Sequence, residues 1–178
     1  ELDKVMTGSP HPDFQVGFNM SLEYKNFDFG GFVFWNQGGE IFNVSRLDVD
    51  FNRFTYNRST RMLYQSWTEG ADNSKALLPK IDVNDTEPAQ QATDYFVEDA
   101  TYIRLKNLSL GYTLPASLTN KLNIGKLRIY VQAQNLLTIK GGDKPFSGLD
   151  PEAALSGTDI AMGVIGSQSP TPKQFVGG

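Results

Sequence analysis

Few residues in this 178-residue chain have the type and spacing that catalysis or ligation requires. The single histidine, His11, lies between two prolines in "GSPHPDF". An imidazole in such a loop is expected to be solvated, and no nucleophile-elbow pattern accompanies it. There is no cysteine, which excludes a disulfide scaffold and every thiolate metal site. The run "DVNDTE" places Asp82, Asn84, Asp85 and Glu87 at part of the calcium-loop spacing. It lacks the glycine at the sixth place and the closing glutamate, so it reads as a solvated loop. Asp48 with Asp50, and Glu98 with Asp99, are near enough in sequence to act as paired carboxylates, but acids spaced this way in loops are expected to face solvent. No enzymatic activity, cofactor or metal is therefore expected.

What remains is binding chemistry. Arg104, Arg128, Tyr130 and Gln132 are candidates for contact with a substrate, because cations, a phenol and an amide recur among them on alternate positions. Trp67 can stack on a sugar, although packing within its own loop is the first expectation, and Trp35 can do so only if its strand faces the other way. The net charge of -4 and pI near 5.0, with no cationic block, argue against a nucleic-acid partner.

These candidates depend on the elements that carry them, and period-two alternation dominates the chain. Phe14, Val16, Phe18, Met20, Leu22 and Tyr24 alternate with Gln15, Gly17, Asn19, Ser21, Glu23 and Lys25. After a turn at Lys25 and Asn26 the apolar set resumes as Phe27, Phe29, Gly31, Val33 and Trp35. This predicts a hairpin whose register sets Tyr24 against Phe27, Met20 against Gly31, Phe18 against Val33 and Gly17 against Phe34. The same register brings Glu23 opposite Asp28, a like-charge pair that Lys25 is expected to relieve. In "ATYIRLKNLSLGYTLP", Leu108, Leu110 and Tyr112 share one face, while Arg104 and Lys106 belong to the other. Ile103 and Leu105 are out of phase with Leu108, which calls for a bulge near Lys106 and Asn107 or for an upper half standing clear of a bilayer. A further strand sets Leu127, Ile129, Val131 and Ala133 outward against Arg128, Tyr130, Gln132 and Gln134.

The expected strands are thus about 13–25, 27–37, 100–114 and 126–139, with an incomplete one at 173–178. Runs of about eleven residues exceed the ~5–6 of a globular strand and match the ~9–11 that cross a bilayer at a tilt. Connections alternate too: short ones at "YKNF" and "PASLTNKLNIGK", and long, polar ones from about Gly38 to Glu98 and Lys140 to Pro172. In the first long connection, "STRMLYQSW" suggests a helical turn after Ser59 with Leu63 and Trp67 four apart. Tyr24, Phe27 and Tyr112 at one rim and Phe14 and Trp35 at the other fit interfacial girdles. The mean hydropathy of -0.34 is compatible with this, since alternating faces cancel. The reading is all-β, with antiparallel up-and-down strands forming the C-terminal part of a large transmembrane barrel. The alternative is a soluble, carbohydrate-binding β-sandwich, which would use shorter strands.

In order along the chain, "GSPHPDFQVGFNMSLEYKNFDFGGFVFWNQGGEIFN", "VEDATYIRLKNLSLGYTLP", "LRIYVQAQNLLTI", "GLDPE" and "TPKQFVGG" resemble the C-terminal barrel region of SusC-like TonB-dependent transporters. That resemblance implies a barrel of about 22 strands in the outer membrane of a Gram-negative bacterium, importing glycans or sometimes peptides. It implies a SusD-like surface lipoprotein as partner, the rest of the barrel and outer-membrane lipid as surroundings, and TonB acting through a plug region. No plug, TonB-contacting segment or signal peptide is matched, so the sequence reads as a C-terminal piece of such a protein. In that setting the Asn-x-Ser/Thr triplets at Asn43, Asn57, Asn84 and Asn107 are chance matches.

Overall fold

The computed structural model describes residues 6–51, 57–82, 93–155, 162–166 and 168–178. Its first hairpin shows how the alternation becomes structure. Strand β1, Phe14–Tyr24, pairs antiparallel with β2, Phe27–Gln37, along its whole length, with Tyr24 opposite Phe27, Met20 opposite Gly31, Phe18 opposite Val33 and Gly17 opposite Phe34. Lys25 closes the turn at φ +55°, a left-handed conformation uncommon for a residue with a Cβ. This is the register expected from the sequence. One detail differs: the ring lying over Gly17 is that of Phe32, which a Cβ there would meet at 3.1 Å.

Strands β3, Glu40–Asn43, and β4, Val97–Asp99, follow, and then β5, Tyr102–Thr113, and β6, Arg128–Lys140. The short β7, Val164–Ile165, precedes β8, Gln174–Gly177. Five of these strands form one sheet in the order β1-β2-β5-β6-β8, neighbours along the chain being neighbours in the sheet with antiparallel pairing throughout. β5 begins at Tyr102 rather than near Ala100. The backbone there serves the end of β2 instead: Asn36 Nδ2 donates to the carbonyls of Ala100 and Gly38, at 3.0 and 3.1 Å.

The phase change in β5 is a bulge. Val33 pairs with Leu105 and Phe32 with Asn107, leaving Lys106 as the extra residue. Against β6 the shift falls at the same level, where Asn135 adopts φ +50°. An extra residue returns Ile103 and Leu105 to the face of Leu108 and Leu110. The apolar face therefore runs in cross-strand rows without interruption, from Phe27 and Tyr112, whose rings lie 4.6 Å apart, to Phe14 and Trp35, in edge contact at 4.9 Å. Eleven residues at ~3.4 Å each, tilted ~40°, rise about 28 Å, close to the ~25 Å apolar band of a membrane barrel.

The chain divides into two compact units, the sheet and its tight connections forming one (His11–Gly39, Asp99–Phe146, Pro170–Gly178). The described residues of Glu1–Pro10, Glu40–Glu98 and Ser147–Ser169 form the other. The long connections are more than polar loops. In this second unit Ile41, Leu78, Phe96 and Ile165 are buried, and β3 lies between β4 and β7 in a small sheet. Short helices α1, Ser45–Asp50, and α2, Thr60–Tyr64, belong to it. The helix after Ser59 ends at Tyr64, so Leu63 and Trp67 do not share a helical face. Trp67 instead donates its backbone N–H to the Leu78 carbonyl at 2.9 Å.

Candidate functional site

The two faces of the five-stranded sheet have opposite chemistry, and their exposure inverts that of a soluble sheet. On the apolar face Phe18 is 62% exposed and Phe175 73%, whereas Arg104, on the other face, is 3% exposed. A large apolar surface left open needs a non-aqueous neighbour. The polar face is the candidate site.

At the end of this face near the Lys25 turn, Arg128 on β6 reaches across β5 to Asp28 on β2. Its Nε and Nη2 donate to the two carboxylate oxygens at 2.9 and 2.5 Å, a bidentate geometry. The intervening β5 residue is Gly111, paired with Asp28 on one side and Tyr130 on the other. A Cβ at Gly111 would lie 2.5 Å from both Asp28 oxygens, so only glycine leaves the ion pair its path. Glu23 is indeed opposite Asp28, but the relief comes from Arg128 and not from Lys25, whose ammonium sits 5.2 Å over the Tyr24 ring. A concavity of about 600 Å³ opens here, floored by Gly30 and Ser109 and walled by Glu23, Lys126 and Arg128.

Towards the other end of the polar face, cations and rings interleave. Lys106 Nζ lies 4.5 Å over the Phe34 ring, so the bulge residue keeps its charge on the polar side. Phe34 and Tyr102 are 5.9 Å apart, Arg104 stands 5.4 Å over Tyr102, and Arg104 Nε donates to Thr138 Oγ1 at 2.9 Å. Such stacks hold cations against apolar rings at about 0.5–2 kcal/mol each.

Of the residues singled out from sequence, Arg104, Arg128, Tyr130 and Gln132 all occupy this face. Tyr130 lies beside Arg128, the guanidinium 5.0 Å over its ring, and exchanges backbone hydrogen bonds with Gly178 at 2.7 and 3.1 Å. Gln132 pairs with Ser109 and Val176. Trp67 belongs to the second unit and is 42% exposed. None of Asp28, Gly111 and Phe34 is among those candidates, although Asp28 and Phe34 enter the hairpin register. The signal for the first existed, since two acids opposite one another demand a cation in the next strand, but finding it needed the β2–β5–β6 register.

The carboxylates are the clearest correction. Asp50 is fully buried and accepts from Arg46 Nε at 3.0 Å, Arg61 Nη1 at 2.9 Å and the Tyr95 hydroxyl at 2.8 Å, and also from the Ser59 hydroxyl. Glu98 is buried too and accepts from Asn43, Arg46 and both donors of Ser147. Arg46 joins the two acids into one network and stacks 3.8 Å over the Tyr95 ring. Burial alone would raise the Asp50 carboxyl, but hydrogen bonds from Ser59, Arg46 and Tyr95 outweigh it and hold it below its ordinary value. Burial, then the bond to Asp50, pushes the Tyr95 hydroxyl up to about 12. Both carboxylates are engaged by the chain's own donors, so the network serves to fix the fold. Asp82 of the calcium-like run is exposed, while Asn84, Asp85 and Glu87 lie outside the described residues, as does the Asn84 triplet.

No family model matches the chain. It is 38% identical over 151 residues, 85% of its length, to TonB-dependent receptor P3 of Formosa agariphila. It is 28% identical over 88% of its length to TonB-dependent receptor SusC of Bacteroides thetaiotaomicron. The solved structure of the RagAB peptide transporter superposes on 97% of the chain with a TM-score of 0.74 at 29% identity. The chain spans only 14% of each of those receptors and 17% of the solved chain. These relatives are named as receptors and a transporter, not as enzymes. With long antiparallel strands that are apolar on one face and polar on the other, the chain is a barrel segment of the SusC-like TonB-dependent receptors.

Proposed function

We propose that this segment is part of the wall of an outer-membrane transporter that imports glycans or peptides with energy delivered through TonB. The observation that carries the reading is the two-faced sheet: Phe18, Leu22, Ile129 and Phe175 stand exposed on one side, and the ion pair and cation stacks lie on the other. The apolar face meets outer-membrane lipid and the polar face lines the import path. Strands of 11 to 13 residues in β1, β2, β5 and β6 favour a barrel wall over a carbohydrate-binding sandwich.

Within this reading Arg128, Tyr130 and Gln132 present donors to cargo or to the plug that occupies the lumen, and Arg104 stiffens the wall behind Tyr102. Trp67 is the candidate for ring stacking in the connection between β2 and β5. The likeness to a peptide transporter supports a peptide cargo, and the likeness to SusC supports membership of the same transport class. A SusD-like lipoprotein docks on the side bearing the connections Gly38 to Glu98 and Lys140 to Pro172. Two experiments test this. Fractionating cells that carry the full-length protein should place it in the detergent-requiring outer-membrane fraction; recovery in salt-washed soluble material overturns the transporter reading. Photocrosslinkers in the two long connections should capture the lipoprotein, and one at Lys25 should not; equal capture overturns the orientation.

A further inference from the structure

The apolar face is not evenly filled. Its rows can be followed across the strands: Leu22, Phe29, Leu110 and Val131 form one, and Met20, Gly31, Leu108, Ala133 and Phe175 the next. The second row carries small residues at Gly31 and Ala133, and the first ends on Gly177 opposite Val131. Between the rings of Phe29 and Phe175 this leaves a hollow of about 580 Å³, whose side-chain walls are Leu108, Leu110, Val131 and Ala133.

We propose that this hollow seats one hydrocarbon chain of a membrane lipid, an inference that rests on reading the apolar face as lipid-facing. Three observations select that occupant. The hollow is continuous with the exposed apolar face and shares its rows. Gln132 is the one polar residue in its lining, and its register opposite Ser109 sets that side chain on the other face, so the walls on the apolar face offer no hydrogen-bonding side chain to a headgroup or a polar cargo. Along β2, Gly31 lies two rows from Phe27 at one aromatic rim and two rows from Trp35 at the other. At ~3.4 Å per residue and ~40° of tilt, that is about 10 Å inside either rim, a depth occupied by acyl chains and not by headgroups. Shape supplies the selectivity: a flexible chain fills the dip between two rings, whereas a flat face gives it no preferred position.

The test uses full-length protein in phosphatidylethanolamine vesicles containing a lipid with a photoactivatable diazirine, placed either at the end of one acyl chain or next to the glycerol. Chain-end label should accumulate several-fold more at Leu108, Ala133 and Phe175 than at Phe18, which is more open than Leu108 and Ala133 but lies outside the hollow. Ala133→Phe, which fills the dip, and Phe175→Ala, which removes a wall, should each bring that label down to the Phe18 level. Equal labelling of hollow and Phe18, stronger labelling by the glycerol-proximal probe, or unchanged labelling in both variants overturns the proposal while leaving the membrane reading intact. Absence of label from Phe18, Ile129 and the hollow together overturns both.

Discussion

The sheet and the second unit solve opposite problems with the same chain. In the sheet, apolar side chains point outward and are left open, while cations lie against aromatic rings on the opposite face. In the second unit, Ile41, Phe96 and Ile165 are buried, and so are the charges of Asp50 and Glu98. The difference teaches where each unit draws its order. Cross-strand pairing and a surrounding apolar medium determine the sheet, so it tolerates change that respects the faces. The second unit depends on a desolvated charge network, in which each partner left alone is costly.

The largest expected effect separates the units most sharply. Deleting Lys106 removes the bulge and shifts the upper part of β5 by one residue, turning Arg104 to the apolar face and Ile103 and Leu105 away from it. Assembly of the full-length barrel, read from heat-modifiable mobility, should fail, whereas Lys106→Ala, which keeps the residue count, should assemble. Next comes Asp50→Ala. Arg61 would then lack its buried counter-charge and Arg46 would keep only Glu98, at a cost of about 3–5 kcal/mol to the second unit. Hydrogen exchange should quicken around Ile41–Asp50 and Asp94–Glu98 and stay unchanged in β1 and β2.

The buried acid also gives the second unit a pH dependence. The Asp50 carboxyl is depressed in the folded state, so its contribution is complete above its unfolded value near 3.9 and is lost as pH falls through the lower folded value. Hydrogen exchange across the second unit should therefore rise in that acid window, and Asp50→Asn should abolish the rise. Smallest is Gly111→Ala. The added Cβ displaces the bidentate contact of Arg128 with Asp28, which is partly exposed, so the urea-unfolding midpoint should fall by less than for Asp50→Ala. Asp28→Asn should reproduce that effect without the glycine change.

How much of this was legible follows from distance along the chain. The hairpin register, the outward set Phe18, Met20 and Leu22, and the bulge at Lys106 are written in neighbouring residues, because period two and a single phase slip are local signals. The Asp28–Arg128 pair spans a hundred positions and becomes visible only once three strands are in register. The Asp50 network was misread for the same reason. Arg46 lies within "RLDVD" itself, but nothing local announces that Ser59, Arg61 and Tyr95 converge there as well. The helix expected to carry Leu63 and Trp67 stops early because Gln65 and Trp67 turn to pair their backbone with Leu77 and Leu78, a tertiary choice that overrides the periodic pattern.

The central claim is which face of the sheet meets lipid, and one pair of variants in β1 addresses it. In full-length protein reconstituted in lipid, Phe18→Arg should lower the urea-unfolding free energy by about 2–4 kcal/mol, the cost of a cation in the middle of the apolar band. Asn19→Arg, one position along and on the opposite face beside Phe32, should change it by less than about 1 kcal/mol. If Asn19→Arg proves the more damaging of the two, the faces are inverted and the account fails.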